Sequence, residues 1–189
     1  MLLAAYALSR LRFRGKGLVL LLLVATQMLP QIMLLVPLFV MLRVAGLLDS
    51  LAGVILAELL GAIPFSALLL KPFFDQITPE LDDAAMIDGC GRVQALALVI
   101  MPLILPGIVA VTIFNFINVW NALILPTILL IDPTNVTLPV ALMLLRDRNT
   151  SVWGMQAAGG MLNLIPSLIL FAIVQRYLIS GLSSGAVKG

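Results

Sequence analysis

Four carboxylates fall within one short stretch of an otherwise apolar chain. Glu80, Asp82, Asp83 and Asp88 lie within nine residues, with no basic residue among them. The chain has no histidine and a single cysteine, Cys90, which removes most metal sites, Cys–His nucleophiles, Ser–His pairs and internal disulfides. The chemistry left to this segment is that of a charged surface, either a solvated link between two other elements or a contact for a partner.

The residues around these carboxylates predict a short helix. Thr78 is suited to cap its first turn, Pro79 fits the first helical position, and the acids complement the positive end of the helix dipole. Gly89 and Gly91 are natural stops, so we expect about three turns.

One face of the predicted helix carries two adjacent alanines, which would let a partner backbone approach closely. By the i, i+3, i+4 rule this face comprises Leu81, Ala84, Ala85 and Asp88.

The amino-acid composition is that of a membrane protein. It is 62% hydrophobic and 11% charged, with a mean hydropathy of +1.17, whereas soluble domains average about 45–50% apolar and about 25% charged residues. Apolar runs of about twenty residues, the length that a helix needs to cross hydrocarbon, recur along the chain. The sequence therefore predicts an all-α, polytopic bundle of transmembrane helices.

The predicted membrane spans form one permease-like domain over residues 1–189. Residues 1–8 are too short to cross a bilayer and look like the end of a further span. Pro30 and Pro37 are expected to kink the first full span, and Pro102 and Pro106 to break a longer uncharged run. The four full spans are expected at about residues 17–42, 51–70, 105–125 and 153–175.

The polar segments between the spans set the orientation. Basic residues concentrate beside segment 71–92 and the chain end, and they are fewer around the polar loop 132–149. This bias places segment 71–92 and the C-terminus in the cytoplasm. The eight inner basic residues are Arg10, Arg12, Arg14, Lys16, Lys71, Arg92, Arg176 and Lys188, and the three outer ones are Arg43, Arg146 and Arg148.

Amide side chains recur within the third full span. Asn115, Asn118 and Asn121 are spaced every three residues, with Trp120 beside them. Amides in hydrocarbon are costly unless they meet protein or water, so these residues either join helices or line a polar pathway. Asparagine and tryptophan suit a sugar, which offers hydroxyls and apolar ring faces. Gln27 in the first full span is a further candidate for the same pathway.

The acidic segment resembles the cytoplasmic EAA loop in the membrane subunits of binding-protein-dependent ABC importers. That pattern reads Glu-Ala-Ala, three residues, Gly, nine residues, then Ile-x-Leu-Pro. Here it falls on DAA at 83–85, Gly89 and VIMP at 99–102, with intact spacing and conservative departures. The resemblance extends over nearly the whole chain, to the ending QRYLISGLSSGAVKG, and is to the carbohydrate-uptake type.

The resemblance implies a type I ABC importer permease fold and a division of labour between subunits. In that family the loop forms a coupling helix seated in a cleft of a separate ATP-hydrolysing subunit. The implied ATPase-coupling residues are Asp83, Ala84, Ala85 and Gly89. Substitutions Gly89→Leu and Ala85→Asp are then expected to uncouple transport without preventing membrane insertion.

The resemblance also implies the setting of the subunit. The expected partners are cytosolic ATPase subunits, a second permease subunit, an extracytoplasmic solute-binding protein and a sugar or related solute, with no nucleic acid, cofactor or metal. The expected location is a bacterial or archaeal cell (inner) membrane, crossed several times. Family members have about six spans, and this chain begins late in the second, so we expect a fragment, a misassigned start or a shortened protein.

Other functions remain as alternatives. No GxxxxGK[ST] motif is present, so ATP hydrolysis is expected in another chain and the protein is not expected to be an enzyme. An intramembrane protease of the serine or two-aspartate type lacks its histidine or its paired membrane acids. A stand-alone secondary transporter or a non-transporting structural subunit would not need a docking helix at this spacing.

Overall fold

The structure, a computed structural model, describes residues 1–147 and 153–183. For Arg146, Asp147, Val174 and residues 176–183 it describes the backbone alone. Residues 148–152 and 184–189, which include Arg148 and Lys188 of the charge-bias argument, lie outside the described part. Within that part the chain is helical and has no strand, which confirms the all-α prediction.

The described helices follow one another with short connections. A π-helical turn, Leu96–Ile100, lies between α6 and α7. The helices are α1 (Leu2–Arg10), α2 (Lys16–Met28), α3 (Gln31–Val44), α4 (Leu51–Asp75), α5 (Glu80–Ile87), α6 (Arg92–Ala95), α7 (Met101–Leu103), α8 (Leu105–Trp120), α9 (Ile124–Leu129), α10 (Leu138–Asp147) and α11 (Trp153–Ser183).

Two described helices are long and apolar enough to cross a membrane on their own. They are α4 and the part of α11 from Trp153 to Ile173. Two further pairs meet the same test only when each is counted as one broken segment: α2 with α3, and Arg92–Leu103 with α8. By length and composition the described chain thus offers two to four membrane crossings.

Prolines act differently at the positions where kinks were expected. The first expected span is interrupted at Pro30, whose backbone is extended (φ −59°, ψ 125°) and which has no N–H to continue a helix. Pro37, by contrast, lies inside α3. After Pro102 the chain bends by 83° at Ile104, between α7 and α8. Helix α8 then ends at Trp120, five residues before the expected end of that span.

The segment expected to be a polar outer loop contains a helix. Residues 138–147, with the sequence LPVALMLLRD, form α10. Pro139 stands in its first turn, where a missing N–H costs nothing, and leucine, alanine and methionine favour helix. The loop expectation was wrong for these ten residues because the apolar run from Leu138 to Leu145 forms a helix, although polar residues stand on both sides of it.

One compact unit comprises residues 1–28, 63–115 and 174–183 of the described chain. Its interior joins α1, α4, the π-helical turn and α8. At Gly107 an added Cβ would lie 2.5 Å from Cγ of Phe73, so glycine is needed for this close packing. The core residues are Ala5, Leu70, Phe74, Leu96, Ile100, Ile104 and Val111.

The second compact unit comprises residues 29–62, 116–147 and 153–173 of the described chain. Helix α10 packs closely on α11 there, since a Cβ at Gly159 would lie 2.3 Å from a terminal methyl of Leu142. Its core joins α3, α4 and α9 through Leu35, Leu42, Val54, Ala57, Leu125, Leu129 and Leu130.

Candidate functional site

Helix α5 begins without the side-chain cap that the sequence suggested. Its N-cap is Pro79, which has helical torsions (φ −60°, ψ −23°), and no side chain caps the first turn. Thr78 contributes its main-chain carbonyl instead, which accepts a hydrogen bond from the Leu81 N–H at 3.2 Å. The prediction of a Thr78 hydroxyl cap was therefore wrong. Three acids, Glu80, Asp82 and Asp83, do occupy the first turn, where the helix dipole favours them.

Helix α5 ends in a Schellman motif centred on Gly89. The Cys90 N–H donates to the Ala85 carbonyl at 3.0 Å, and the Gly89 N–H donates to the Met86 carbonyl at 3.1 Å. Gly89 has φ +91°, and a Cβ built there would meet no atom within 4 Å. The requirement for glycine is thus in the backbone torsion.

Gly91 does not share this role. Its φ is −71° with extended ψ, and its N–H donates to Gln94 Oε1 at 2.9 Å. It is therefore the N-cap of α6, and the expectation that it stops α5 was wrong. Only three residues, Asp88, Gly89 and Cys90, lie between the end of α5 at Ile87 and this second cap.

The inner face of α5 is closed within its own unit. Ala85 is 5% exposed and Asp82 6% exposed, and α5 packs on α6 and the π-helical turn. Ala85 was expected to share the partner face with Ala84, but the two adjacent alanines point in different directions. An alanine at position 85 keeps α5 close to the helices beneath it, so Ala85 is not available to a partner.

Asp82 is held by two donors from α1. Arg10 Nε donates to Asp82 Oδ2 at 2.7 Å, and the Tyr6 hydroxyl donates to Oδ1 at 2.8 Å. Arg10 Nη2 also donates to the Ile77 carbonyl, at 2.7 Å, in the turn before α5. The Arg10 and Asp82 side chains are only 10% and 9% exposed. Buried charges need such partners, because each would otherwise lose its hydration without compensation.

The outer face of α5 is open in the isolated chain. Asp83, Ala84 and Leu81 are exposed there, and Ile87 is 86% exposed. Helical spacing places Leu81, Ala84 and Ile87 along one side, with Asp83 beside them. A small residue flanked by two aliphatic side chains and one carboxylate offers a partner both close approach and a charged contact.

Sequence reasoning missed several residues that shape this surface. Ile87 has the i+3 spacing from Ala84 that could have marked it as part of the outer face. Arg10 and Tyr6 carry no local signal, because they lie 72 and 76 residues away from Asp82 along the chain.

The asparagines of α8 fall into different surroundings. Asn115 Nδ2 donates to the hydroxyl of the fully buried Ser66 at 2.7 Å, which joins α8 to α4 within the first unit. It also donates to the Val111 carbonyl at 2.8 Å. Asn115 therefore has the contacts expected of a residue that joins helices. Asn118 is exposed on α8, and Gln27 is exposed on α2, where its amide lies 3.5 Å from the Thr26 hydroxyl.

In the second unit Asn121 and Trp120 meet a polar residue of α11. The Trp120 indole N–H donates to the Asn163 carbonyl at 3.0 Å, and Asn163 Nδ2 donates to Asn121 Oδ1 at 2.9 Å. Asn163 Oδ1 is buried and accepts no hydrogen bond in the described part of the chain. We call these three residues the amide cluster. Asn121 and Trp120 were predicted from the sequence as pathway candidates, whereas no sequence pattern distinguishes Asn163.

A second polar contact in this unit joins the two loops at one end of α3 and α9. Asp49, at φ 59°, accepts hydrogen bonds from the N–H groups of Ile131 and Asp132 at 2.7 and 3.0 Å. The backbone amide of Thr134 and then its hydroxyl donate to the Asp132 carboxylate, and these bonds hold the Asp132 pKa below its ordinary value. The carboxylates of Asp49 and Asp132 therefore hold the loop after α9 in place by accepting hydrogen bonds from its backbone N–H groups.

Comparison with known proteins gives consistent relatives. A sulfoquinovosyl glycerol transport system permease protein of Agrobacterium fabrum is 38% identical over 187 residues, covering 99% of this chain and 66% of its own. A trehalose transport system permease protein of Mycobacterium tuberculosis is 39% identical, covering 98% and 69%. A diacetylchitobiose uptake system permease protein of Streptomyces coelicolor is 36% identical, covering 98% and 67%. The chain spans about two thirds of the length of these relatives.

A solved structure shares the fold. It is the crystal structure of a bacterial ABC transporter involved in the import of the acidic polysaccharide alginate, with a TM-score of 0.70 and 24% sequence identity, covering 100% of this chain and 68% of that one. The family described as the binding-protein-dependent transport system inner membrane component matches residues 1–184. With nearly the whole chain matched, the protein belongs to this family of inner membrane transport components.

Proposed function

We propose that the chain is a membrane-spanning permease subunit of an ATP-driven importer of sugars or related solutes. It forms part of the translocation pathway and couples to a separate ATPase through α5. The observation that carries this proposal is the two-sided construction of α5, with one face fixed to its own unit and the other open. The relatives are named as permease proteins of transport or uptake systems for sulfoquinovosyl glycerol, diacetylchitobiose and trehalose, which supports a sugar or a related solute here.

The open face is the part of α5 that contacts the ATPase. Asp83 supplies a charged contact, Ala84 allows close seating, and Ile87 and Leu81 supply apolar area, of which about 25 cal/mol per Å² is recovered on burial. Gly89 shapes the end of the helix so that the chain turns away immediately after this surface. Ala85, on the opposite and buried face, supports this surface by keeping α5 packed against the helices beneath it.

The amide cluster supplies part of the solute pathway. Asn163 Oδ1 has no donor in the described chain, and a solute hydroxyl can satisfy such an acceptor. The ring of Trp120, itself a member of the cluster, stacks on Phe116 at 5.6 Å between centroids, and an aromatic surface of this kind suits the apolar face of a sugar ring. Asn118 and Gln27 are further pathway positions, whereas the contacts of Asn115 favour a structural role.

The proposed arrangement in the membrane follows the charges. The chain crosses the inner membrane several times, with α5 and the C-terminus in the cytoplasm and the loop after α9 outside. A second permease subunit completes the pathway, and a solute-binding protein delivers the solute near the loop that Asp49 and Asp132 structure.

Cysteine labelling tests the assignment of α5. Cys90 is half-buried, so a more exposed thiol, Ile87→Cys in a Cys90→Ser background, serves as the principal reporter. A membrane-impermeant maleimide is applied to inverted and right-side-out vesicles, with and without the ATPase of the same transport system. We expect labelling only in inverted vesicles and protection of position 87 by the ATPase.

A matched control separates sidedness from docking. Gln76→Cys lies in an exposed position before α5, outside its open face, and reports the side of the membrane on which the segment lies. Labelling of position 87 from the outside would overturn the orientation. Cytoplasmic labelling that the ATPase never diminishes would overturn the docking role.

A further inference from the structure

We infer that Arg10 and Asp82 are positioning residues that transmit movement of α5 to α1. The inference rests on the proposed function, because it concerns how a force applied to α5 by an ATPase reaches the rest of the subunit. It assigns that transmission to one ion pair, buried within the first unit.

The geometry of Asp82 points to α1 as the receiving element. Both carboxylate oxygens accept hydrogen bonds, and both donors, Arg10 Nε and the Tyr6 hydroxyl, belong to α1. Asp82 stands in the first turn of α5 and is 6% exposed. Charge-assisted hydrogen bonds of 2.7–2.8 Å fix both direction and distance. A displacement of α5 therefore pulls or pushes directly on α1.

Arg10 also holds the turn that precedes α5. Its Nη2 donates to the Ile77 carbonyl, in the turn that leads from α4 into α5. One guanidinium thus bridges the helix and the turn before it, which a planar fork of donors can do and a single ammonium group cannot. The covalent links at both ends of α5 are short turns, at residues 76–79 and 88–91, so a lateral link of this kind limits rotation of α5 about them.

Helix α1 is itself fixed to the first unit, so it can pass movement on. Ala5 is fully buried in the core, and the Tyr6 ring meets Phe74 edge to face at 5.8 Å. At the end of α1 the Ser9 hydroxyl donates to Asp75 Oδ1 at 2.6 Å, on the last residue of α4. The ion pair therefore makes α5 and α1 parts of one body.

A second ion pair provides a matched control. Lys71 and Asp75 are one turn apart on α4, near the same end of the unit, but their side chains are 24% and 43% exposed and both belong to one helix. Removal of this pair alters charge nearby without detaching α5 from α1, and Ser9 still contacts Asp75.

The test compares Arg10→Met and Asp82→Asn with Lys71→Met in the intact importer with its ATPase. Three quantities are measured: ATPase retained on purification, the rate of ATP hydrolysis, and solute taken up per ATP. For Arg10→Met and Asp82→Asn we expect the ATPase to be retained and solute uptake per ATP to fall about tenfold, within the usual range of coupling effects. Lys71→Met is expected to match the wild type.

Milder variants keep the inference testable if Arg10→Met does not reach the membrane. Arg10→Lys retains the charge but cannot reproduce both donor contacts, and Tyr6→Phe removes one hydrogen bond to Asp82. Both should retain the ATPase and lower uptake per ATP by about twofold to fivefold, less than Arg10→Met. A merely structural role would lower the amount of complex without changing this ratio.

The outcomes separate the inference from the proposed function. A wild-type chain that retains no ATPase overturns the proposed function, and the role of the pair with it. A wild-type chain that couples normally, with variants whose uptake per ATP is unchanged, overturns only the role of the pair. Variants that lose ATPase binding in step with uptake also overturn it, because the pair would then only shape the docking surface.

Discussion

The region around α5 and the amide cluster place polar groups among apolar helices in different ways. On the inner side of α5 the Arg10–Asp82 pair is charged and nearly buried, and both oxygens of Asp82 accept hydrogen bonds. In the amide cluster the polar groups are neutral, and the Asn163 Oδ1 atom is left without a donor in the described chain. Opposite charges suit a contact that must not rearrange, because breaking a buried pair is costly. Neutral amides suit contacts that are exchanged, because each contributes little.

The sharpest way to break this comparison uses one substitution at adjacent positions. Ala85→Asp places an unpaired carboxylate close beneath α5 and is expected to destabilise the chain by about 3 kcal/mol or more. Ala84→Asp adds the same charge on the open face, where surface changes usually stay within about 0.5 kcal/mol. Denaturant unfolding in detergent measures both.

Transport assays complete this test. Ala84→Asp is expected to weaken ATPase retention although it leaves folding intact, so position 84 rather than 85 is the proper probe of coupling. Equal stability of the two variants would mean that α5 is not closed on its inner side.

The second prediction compares close packing in the two units. Gly107→Ala would bring a Cβ against Phe73 Cγ, the ring atom nearest the backbone, and is expected to cost about 1–3 kcal/mol. At Gly159→Ala the one atom closer than 3 Å is a terminal methyl of Leu142, which can move by a change of side-chain rotamer, so we expect less than about 1 kcal/mol. Thermal unfolding measures the difference. Gly160→Ala, with no atom within 4 Å, is the control, and a larger loss there than at Gly107 would contradict the packing.

The third prediction concerns the end of α5. Gly89→Ala forces an L residue into φ +91° and is expected to cost about 1–2 kcal/mol. Gly91→Ala, at φ −71°, is expected to have little effect. Unfolding of the two variants in parallel distinguishes a torsional requirement at one glycine from a general need for small residues in this turn.

The fourth prediction, with the smallest expected loss of stability, compares the hydrogen bonds of two neutral asparagines. Asn115→Leu and Asn121→Leu should each cost about 0.6 kcal/mol of stability, the average for a hydrogen bond between membrane helices. Their functional effects should differ: Asn115→Leu leaves solute uptake unchanged, whereas Asn121→Leu raises the KM for the solute. Uptake kinetics at matched expression provide the measurement, and a raised KM for both variants would return Asn115 to the pathway.

Much of the helical framework could be predicted from the sequence, because apolar runs and breakers act locally. The start of α8 at Leu105 and the start of α4 at Leu51 coincide with the expected boundaries. Helix α10 was not predicted because its apolar run is short and has polar residues on both sides, a pattern that is also typical of a loop. The break at Pro30 was anticipated only as a kink, since the loss of one donor does not determine how far a helix bends.

The candidate site was predictable in position but not in orientation. Helical spacing indicates which residues of α5 share a face, yet it does not say which face the rest of the chain covers. Ala85 was therefore placed on the wrong side. The Arg10–Asp82 pair could not be predicted for a different reason: no sequence pattern near either residue indicates a partner 72 positions away.

The open space around the Cβ position of Gly89 has a consequence for chirality. An L side chain is disfavoured there by its own backbone and by no neighbouring atom, so the mirror-image residue fits without strain. A chain assembled with D-alanine at position 89 should keep the end of α5 and gain stability, since the unfolded chain has less freedom to lose. Position 89 requires a backbone conformation with positive φ, and glycine adopts it more readily than any other encoded residue.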